Sequence, residues 1–174
     1  MSDTLITIVA ILLAAVLMFI FPLLSVSERS DDISQLSVAS ATAEFVDNSR
    51  SVGKITMDNY TKLITTINAT GNSYDVEMEV KILDENIGKK SAWTQGTVIG
   101  ENVYYSIYTS QVVEVLEKSG VYTMKEGDIF SVSVKNTNKT LSQTIRGVFY
   151  SMSGSDVYSI MAQHSGVVTA NGSY

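Results

Sequence analysis

The stretch Thr4–Ser27, TLITIVAILLAAVLMFIFPLLSVS, decides how the rest of this chain is read. It contains no ionisable side chain and is flanked by Asp3 and Glu28. A helix crossing the hydrocarbon layer needs about 20 apolar residues, a length this stretch meets. Fifteen residues between Leu5 and Val26 are Leu, Ile, Val or Phe. At about −0.3 to −0.6 kcal/mol each near a helix centre they sum to roughly −5 to −9 kcal/mol, an upper bound because residues near the ends gain less. Residues 1–27 are therefore expected to form a transmembrane anchor, carried by Leu5, Ile8, Ile11, Leu12, Val16, Phe19, Ile20, Pro22 and Leu23.

A cleavable secretory signal is the competing reading, since Ser25-Val26-Ser27 offers small residues just after a helix-breaking Pro22. Against it, the leading Met-Ser-Asp has no Lys or Arg, and the apolar run exceeds the 7–15 residues usual for a signal core. The retained anchor is the better fit. No excess of Lys or Arg flanks the span to set its orientation. The short N-terminal side leaves the bulk of the chain as the functional side, expected outside the cytoplasm because a short apolar N-terminus acts as an export signal.

Outward from the anchor, the 174-residue chain has about one domain's length. A net charge of −6 with no basic cluster gives phosphate backbones nothing to bind, so no nucleic-acid partner is expected. The absence of Cys excludes disulfides, thiol catalysis and Cys-ligated metals, and a single His, His164, leaves no His-rich metal site. No cofactor and no small-molecule substrate is evident.

No Gly- or Pro-rich linker follows the anchor. Hydrophobic and small residues recur at helical spacing from Asp32 onward, and no Pro or Gly interrupts until Gly53. Residues 28–52 read as an amphipathic continuation of the same helix, with Ile33, Leu36, Ser40, Ala43, Phe45 and Val46 as an assembly face. Pro22 removes one backbone hydrogen bond inside this rod and is expected to bend it.

Residues 53–174 read as a small extracytoplasmic α+β head. Gly53 and its polar neighbours mark an interhelical turn. Thr56 suits an N-cap, and Tyr60, Leu63, Ile64 and Ile67 form an apolar stripe with Gly71 as a stop. The period then changes to two: over Tyr74–Leu83, Tyr74, Val76, Met78, Val80 and Ile82 face one way and Asp75, Glu77, Glu79 and Lys81 the other. Further strands are expected over Asn102–Tyr108, Asp128–Asn136 and Val157–Thr169. Helices are expected after a Ser110 cap, ending at Gly120, and over Leu141–Tyr150. About four antiparallel strands with one charged face and three short helices complete the head.

Chemistry-bearing motifs are scarce. No phosphate-binding loop, nucleophile elbow or paired-His motif is present. Ser51-Val52-Gly53-Lys54 matches an acyl-transfer spacing but sits in the turn. Asp84-Glu85-Asn86-Ile87-Gly88 resembles the start of a calcium loop, yet Gln95 stands where the bidentate acid belongs, so a hairpin loop is the better reading. His164 has no acid near it in sequence and reads as structural. Asp75, Glu77 and Glu79 read as a solvated sheet face. The chain is not expected to be an enzyme.

An apolar N-terminus, a Pro-bearing helix running into an amphipathic half and a small α+β head together resemble type IV pilins and their minor, pseudopilin-like relatives. Asp31-Asp32-Ile33-Ser34-Gln35-Leu36, Ala43-Glu44-Phe45-Val46-Asp47, Gly53-Lys54-Ile55-Thr56 with Tyr60, and Tyr74-Asp75-Val76 are similar to the post-anchor region of pilus-associated proteins in tight-adherence (Tad) clusters of Gram-positive anaerobes. This resemblance spans about residues 1–82. It implies a structural, non-enzymatic subunit or assembly component of a pilus-like apparatus, in the cell membrane or an extracellular filament, whose partners are the membrane and itself or other pilin-like subunits and assembly proteins. Type IV pilins carry a basic leader and an acid a few positions into the mature helix. Here the leader is not basic and the nearby acid is Asp3, so escape from prepilin peptidase is expected. The alternative to an assembly role is a membrane-anchored ligand-binding or adhesive module.

Overall fold

A computed structural model describes residues 2–83, 104–150 and 160–172. Helix α1 runs unbroken from Ser2 to Val52, through Pro22. Strand β1 (Lys54–Thr56) and helix α2 (Met57–Asn68) follow, then β2 (Tyr74–Leu83), β3 (Tyr104–Tyr108), α3 (Thr109–Ser119), β4 (Val121–Thr123), β5 (Ile129–Asn136), α4 (Leu141–Tyr150) and β6 (Met161–Val167). The hairpin loop expected at Asp84–Gly88 and the first residues of two expected strands, 102–103 and 157–159, lie outside the described residues.

The α+β class is as the sequence pattern indicated. Strands β3-β2-β5-β6 form one antiparallel sheet in that order. Alternation along β2 and β5 sends Val76, Met78, Val80, Phe130, Val132 and Val134 to a single face, all of them buried. The upper half of α1 lies across that face, contributing Val38, Phe45 and Val46. Phe45 meets Phe130 edge to face, with centroids 5.8 Å apart and planes at 69°. The opposite face presents Asp75, Glu77 and Glu79 beside Ser131 and Ser133.

Two corrections concern turns. The stretch after Gly53 is a strand rather than a simple interhelical turn: Lys54–Thr56 pairs antiparallel with Val121–Thr123, and Ile55 is fully buried. Gly53 itself turns the chain at φ +72°, where a Cβ would stand 2.1 Å from the Ala170 carbonyl oxygen. Thr56 caps α2, its hydroxyl accepting from Asn59 N at 3.2 Å. Helix α3 begins at Thr109, with Tyr108 rather than Ser110 at its N-cap, because Gln111 Oε1 reaches back to accept from Tyr108 N at 3.0 Å. The Thr109 hydroxyl is occupied elsewhere, accepting at 2.7 Å from Met78 N on the edge of β2 that β3 has left uncovered. Gly120 ends α3 in the left-handed region, as its position indicated.

Asp128 is a buried carboxylate whose oxygens are used within the fold. One accepts from Leu83 N at 3.2 Å and the other from Lys125 N at 2.8 Å, tying the end of β2 to the turn before β5.

Candidate functional site

The candidate site is α1 and the surfaces it presents. Among the described residues it is the one helix long and apolar enough to cross a membrane. Leu5, Ile8, Ile11, Leu12, Val16, Phe19 and Leu23 point outward with roughly half or more of their surface exposed, Phe19 at 78%. Pro22 is exposed with them, whereas Ile20 is half-buried.

Successive residues of a helix are rotated by roughly 100°, which divides the expected assembly face in two. Ile33, Leu36 and Ser40 share the side away from the head, Ile33 62% and Leu36 72% exposed, and half-buried Ala43 lies at the edge of that side. Phe45 and Val46 fall on the opposite side and are buried in the core. The sequence stripe thus merged two faces, because local spacing does not say which face the sheet takes.

The head-facing side of α1 is built from small hydroxyl residues. Ser27, Ser34 and Thr42 are buried, and each hydroxyl donates to the carbonyl four residues earlier at 2.7–2.9 Å. These three groups are satisfied within the helix, whereas the hydroxyl of Ser49, fully buried on the same side, has no hydrogen-bond partner among the described residues.

Five polar joints tie α1 to β6, to the segment after it and to α4 with the residue before it. Gln35 acts as an extra strand residue for β6, its amide donating to Met161 O at 2.7 Å and accepting from Met161 N at 2.9 Å. Asp47 Oδ1 accepts from Arg50 Nε at 2.7 Å and lies 3.3 Å from His164 Nε2. The hydrogen bond from Arg50, then that with His164, holds the Asp47 carboxyl below its ordinary range. At the end of the helix, Arg50 O accepts from Thr169 N at 3.0 Å. Toward the anchor, Asp31 accepts from the Thr140 and Ser142 hydroxyls, and Glu28 Oε1 accepts from Arg146 Nε at 3.0 Å and Nη2 at 2.6 Å.

Asp47 is the acid that His164 lacks in its own sequence neighbourhood. It arrives from 117 residues away, a pairing no local motif announces. The pair is half-exposed, and among the described residues Asp47 is engaged by Arg50 and His164 at a helix–strand joint. The outer sheet face carries an open groove of about 660 Å³ between Glu77, Glu79, Tyr108, Ser131, Ser133 and Gln163. Glu79, which lines it, accepts a hydrogen bond at 2.7 Å from Ser106 on the neighbouring strand β3. No group of three or more His, Cys, Asp or Glu that could hold a metal ion occurs among the described residues. No family model, curated protein or solved structure matches the chain, so its own geometry alone bears on its function.

Proposed function

We propose that this chain is a non-enzymatic, single-pass envelope protein, held in the cell membrane by residues 4–27 with its head outside the cytoplasm, that works as a subunit or assembly component of a pilus-like apparatus. One observation carries the reading: a single helix serves as both the apolar span and a core element of the head, with no linker between the two roles. A tethered catalytic domain gains from a flexible leash, whereas a packing subunit gains from a fixed angle between anchor and head.

The mechanism follows from apolar exposure. The stripe of Val26, Ile33 and Leu36 extends the exposed apolar surface of the anchor beyond the uncharged span. Stored in the bilayer, the lower helix is solvated by lipid. In an assembly the same side chains pack against neighbouring helices, where van der Waals contact replaces lipid contact at similar buried area. Subunits exchange between the two environments without a large hydrophobic penalty.

The chain has no Cys, so an Ile33→Cys or Leu36→Cys substitution gives a unique cross-linking site. In native envelopes, cross-linked multimers are expected, with labelled heads spaced along a fibre or gathered at its root. Solitary chains scattered over the membrane would overturn the proposal. The outer-face groove favours the rival reading of a ligand-binding or adhesive module, which requires a soluble saccharide or peptide to raise the melting temperature of the intact protein.

A further inference from the structure

We infer that α4 is a membrane-interface helix, its C-terminal half entering the headgroup layer beside α1 so that the head rests on the bilayer instead of standing above it on a stalk. This rests on the proposed role of α1 as anchor. The direction of α4 comes from its two polar joints. Thr140 and Ser142 meet Asp31, whereas Arg146, further along α4, meets Glu28, nearer the span. Helix α4 therefore descends antiparallel to α1.

Its depth follows from helix geometry. Ten residues rise about 15 Å, the length of α1 from Asp31 down to about Phe21. Glu28 is the first ionisable residue after the uncharged stretch. The turn of α4 beyond Arg146 thus lies level with Leu24 and Pro22, inside the apolar segment.

Burial along α1 agrees with this placement. Leu17, Ile20 and Leu24 share the face that continues through Ser27 and Asp31, and all three are half-buried, whereas Met18 and Phe19 beside them are each 78% exposed. The polarity of α4 is graded in the same sense. Beside the exposed Leu141 at its upper end stand Thr140, just before the helix, and Ser142, Gln143 and Thr144, while the last turn after Arg146 carries no charge. Gly147 is itself half-buried, and a Cβ built on it meets no atom of the described residues within 4 Å, which leaves room there for a surrounding medium. At that height the surroundings are lipid.

The test uses the full chain in phospholipid vesicles, with a polarity-sensitive fluorophore on a single engineered Cys and nitroxide quenchers on the lipid acyl chains both near the headgroups and near the bilayer centre. Gly147→Cys adds a Cβ with no atom of the described residues within 4 Å. The Gly147 probe is expected to shift to the blue and lose emission to the quencher near the headgroups, as a Val16→Cys probe does to the one near the bilayer centre, while a Leu36→Cys probe stays water-like. If the Val16 probe is quenched and the Gly147 probe behaves as the Leu36 probe, the head stands clear of the bilayer and this inference fails while the anchor stands. A blue shift at Gly147 without lipid quenching, reversed on dilution into more lipid, means a second copy covers α4 and also overturns it. An unquenched Val16 probe overturns the anchor itself.

Discussion

The anchor reading can be tested by graded loss of apolarity at its centre. Val16 lies midway between Leu5 and Val26, with Leu12 one turn away on the same side, and both side chains are exposed, 50% and 61%. Replacing Val16 with Asp removes about 0.3–0.6 kcal/mol of favourable insertion and adds about 2.5–3.5, a change of about 3–4 kcal/mol. Against a total of roughly −5 to −9 kcal/mol, the single variant keeps about −1 to −6 and stays in the membrane. The double variant Leu12→Asp, Val16→Asp loses about 6–8 kcal/mol, which brings the balance to about zero and releases a substantial fraction of the chain. Neither position belongs to the head's core, so the thermal transition of the head stays put in both. The assay is sedimentation of membranes after alkaline carbonate extraction, with near-ultraviolet circular dichroism reporting the head. Full retention of the double variant with a folded head would refute anchoring through α1; complete release of the single variant would refute the additive arithmetic.

The remaining predictions probe the head. Phe45→Ala should cost about 3–5 kcal/mol in urea unfolding, since it empties a fully packed aromatic site, while Leu36→Ala, on the open side of the same helix, should change stability by less than about 0.5 kcal/mol. Gly53→Ala combines a positive φ with a Cβ placed on the Ala170 carbonyl, so it should lower the melting temperature and expose the 169–172 segment to amide exchange. The Tyr122 phenol is pushed up to about 12 by burial first, then by Asp128 and Tyr105. Its folded value is above its unfolded one, so this contribution, about 3 kcal/mol, is fully present below pH about 10 and is lost as pH rises through about 12. Tyr122→Phe should flatten that part of the stability profile in alkaline denaturation, and an unchanged slope would show the phenol to be solvated.

What the sequence disclosed divides along a physical line. Strand β2 was legible to the residue because Tyr74–Leu83 alternates over ten positions with charges on one face, a signal both long and local. Helix α4 was legible because polar and apolar residues separate cleanly around it. Strand β1 was not, since three residues cannot show a period and its partner β4 lies more than sixty residues on. The two sides of α1 were indistinguishable because serine and alanine fit a buried helix face and an open one equally well. Only the sheet, which takes Val38, Thr42, Phe45 and Ser49, assigns them. The Asp47–His164 pair was illegible for a related reason, as its members meet only once β6 has docked on the helix.

Those joints have a mechanical consequence. Along α1 from Glu28 to Arg50, ties to α4, β6 and the segment after β6 recur every three to twelve residues: Glu28, Asp31, Gln35, Asp47 and Arg50. The upper helix therefore has no length free to swing, and ordering it costs nothing further when the protein packs against a neighbour, because the backbone entropy was spent on folding. A pull on the anchor is delivered to the sheet through Phe45 and Val46 rather than dissipated in a coil. Cutting the chain after Ser27 would leave these ties intact, so the released head should keep its fold and melt near the temperature of the full chain. A cut after Ser40 would strip Glu28, Asp31, Gln35 and Val38 from the head and should destabilise it. If both fragments melted alike, α1 would be a passive stalk, and the rigid coupling on which an assembly role depends would be absent.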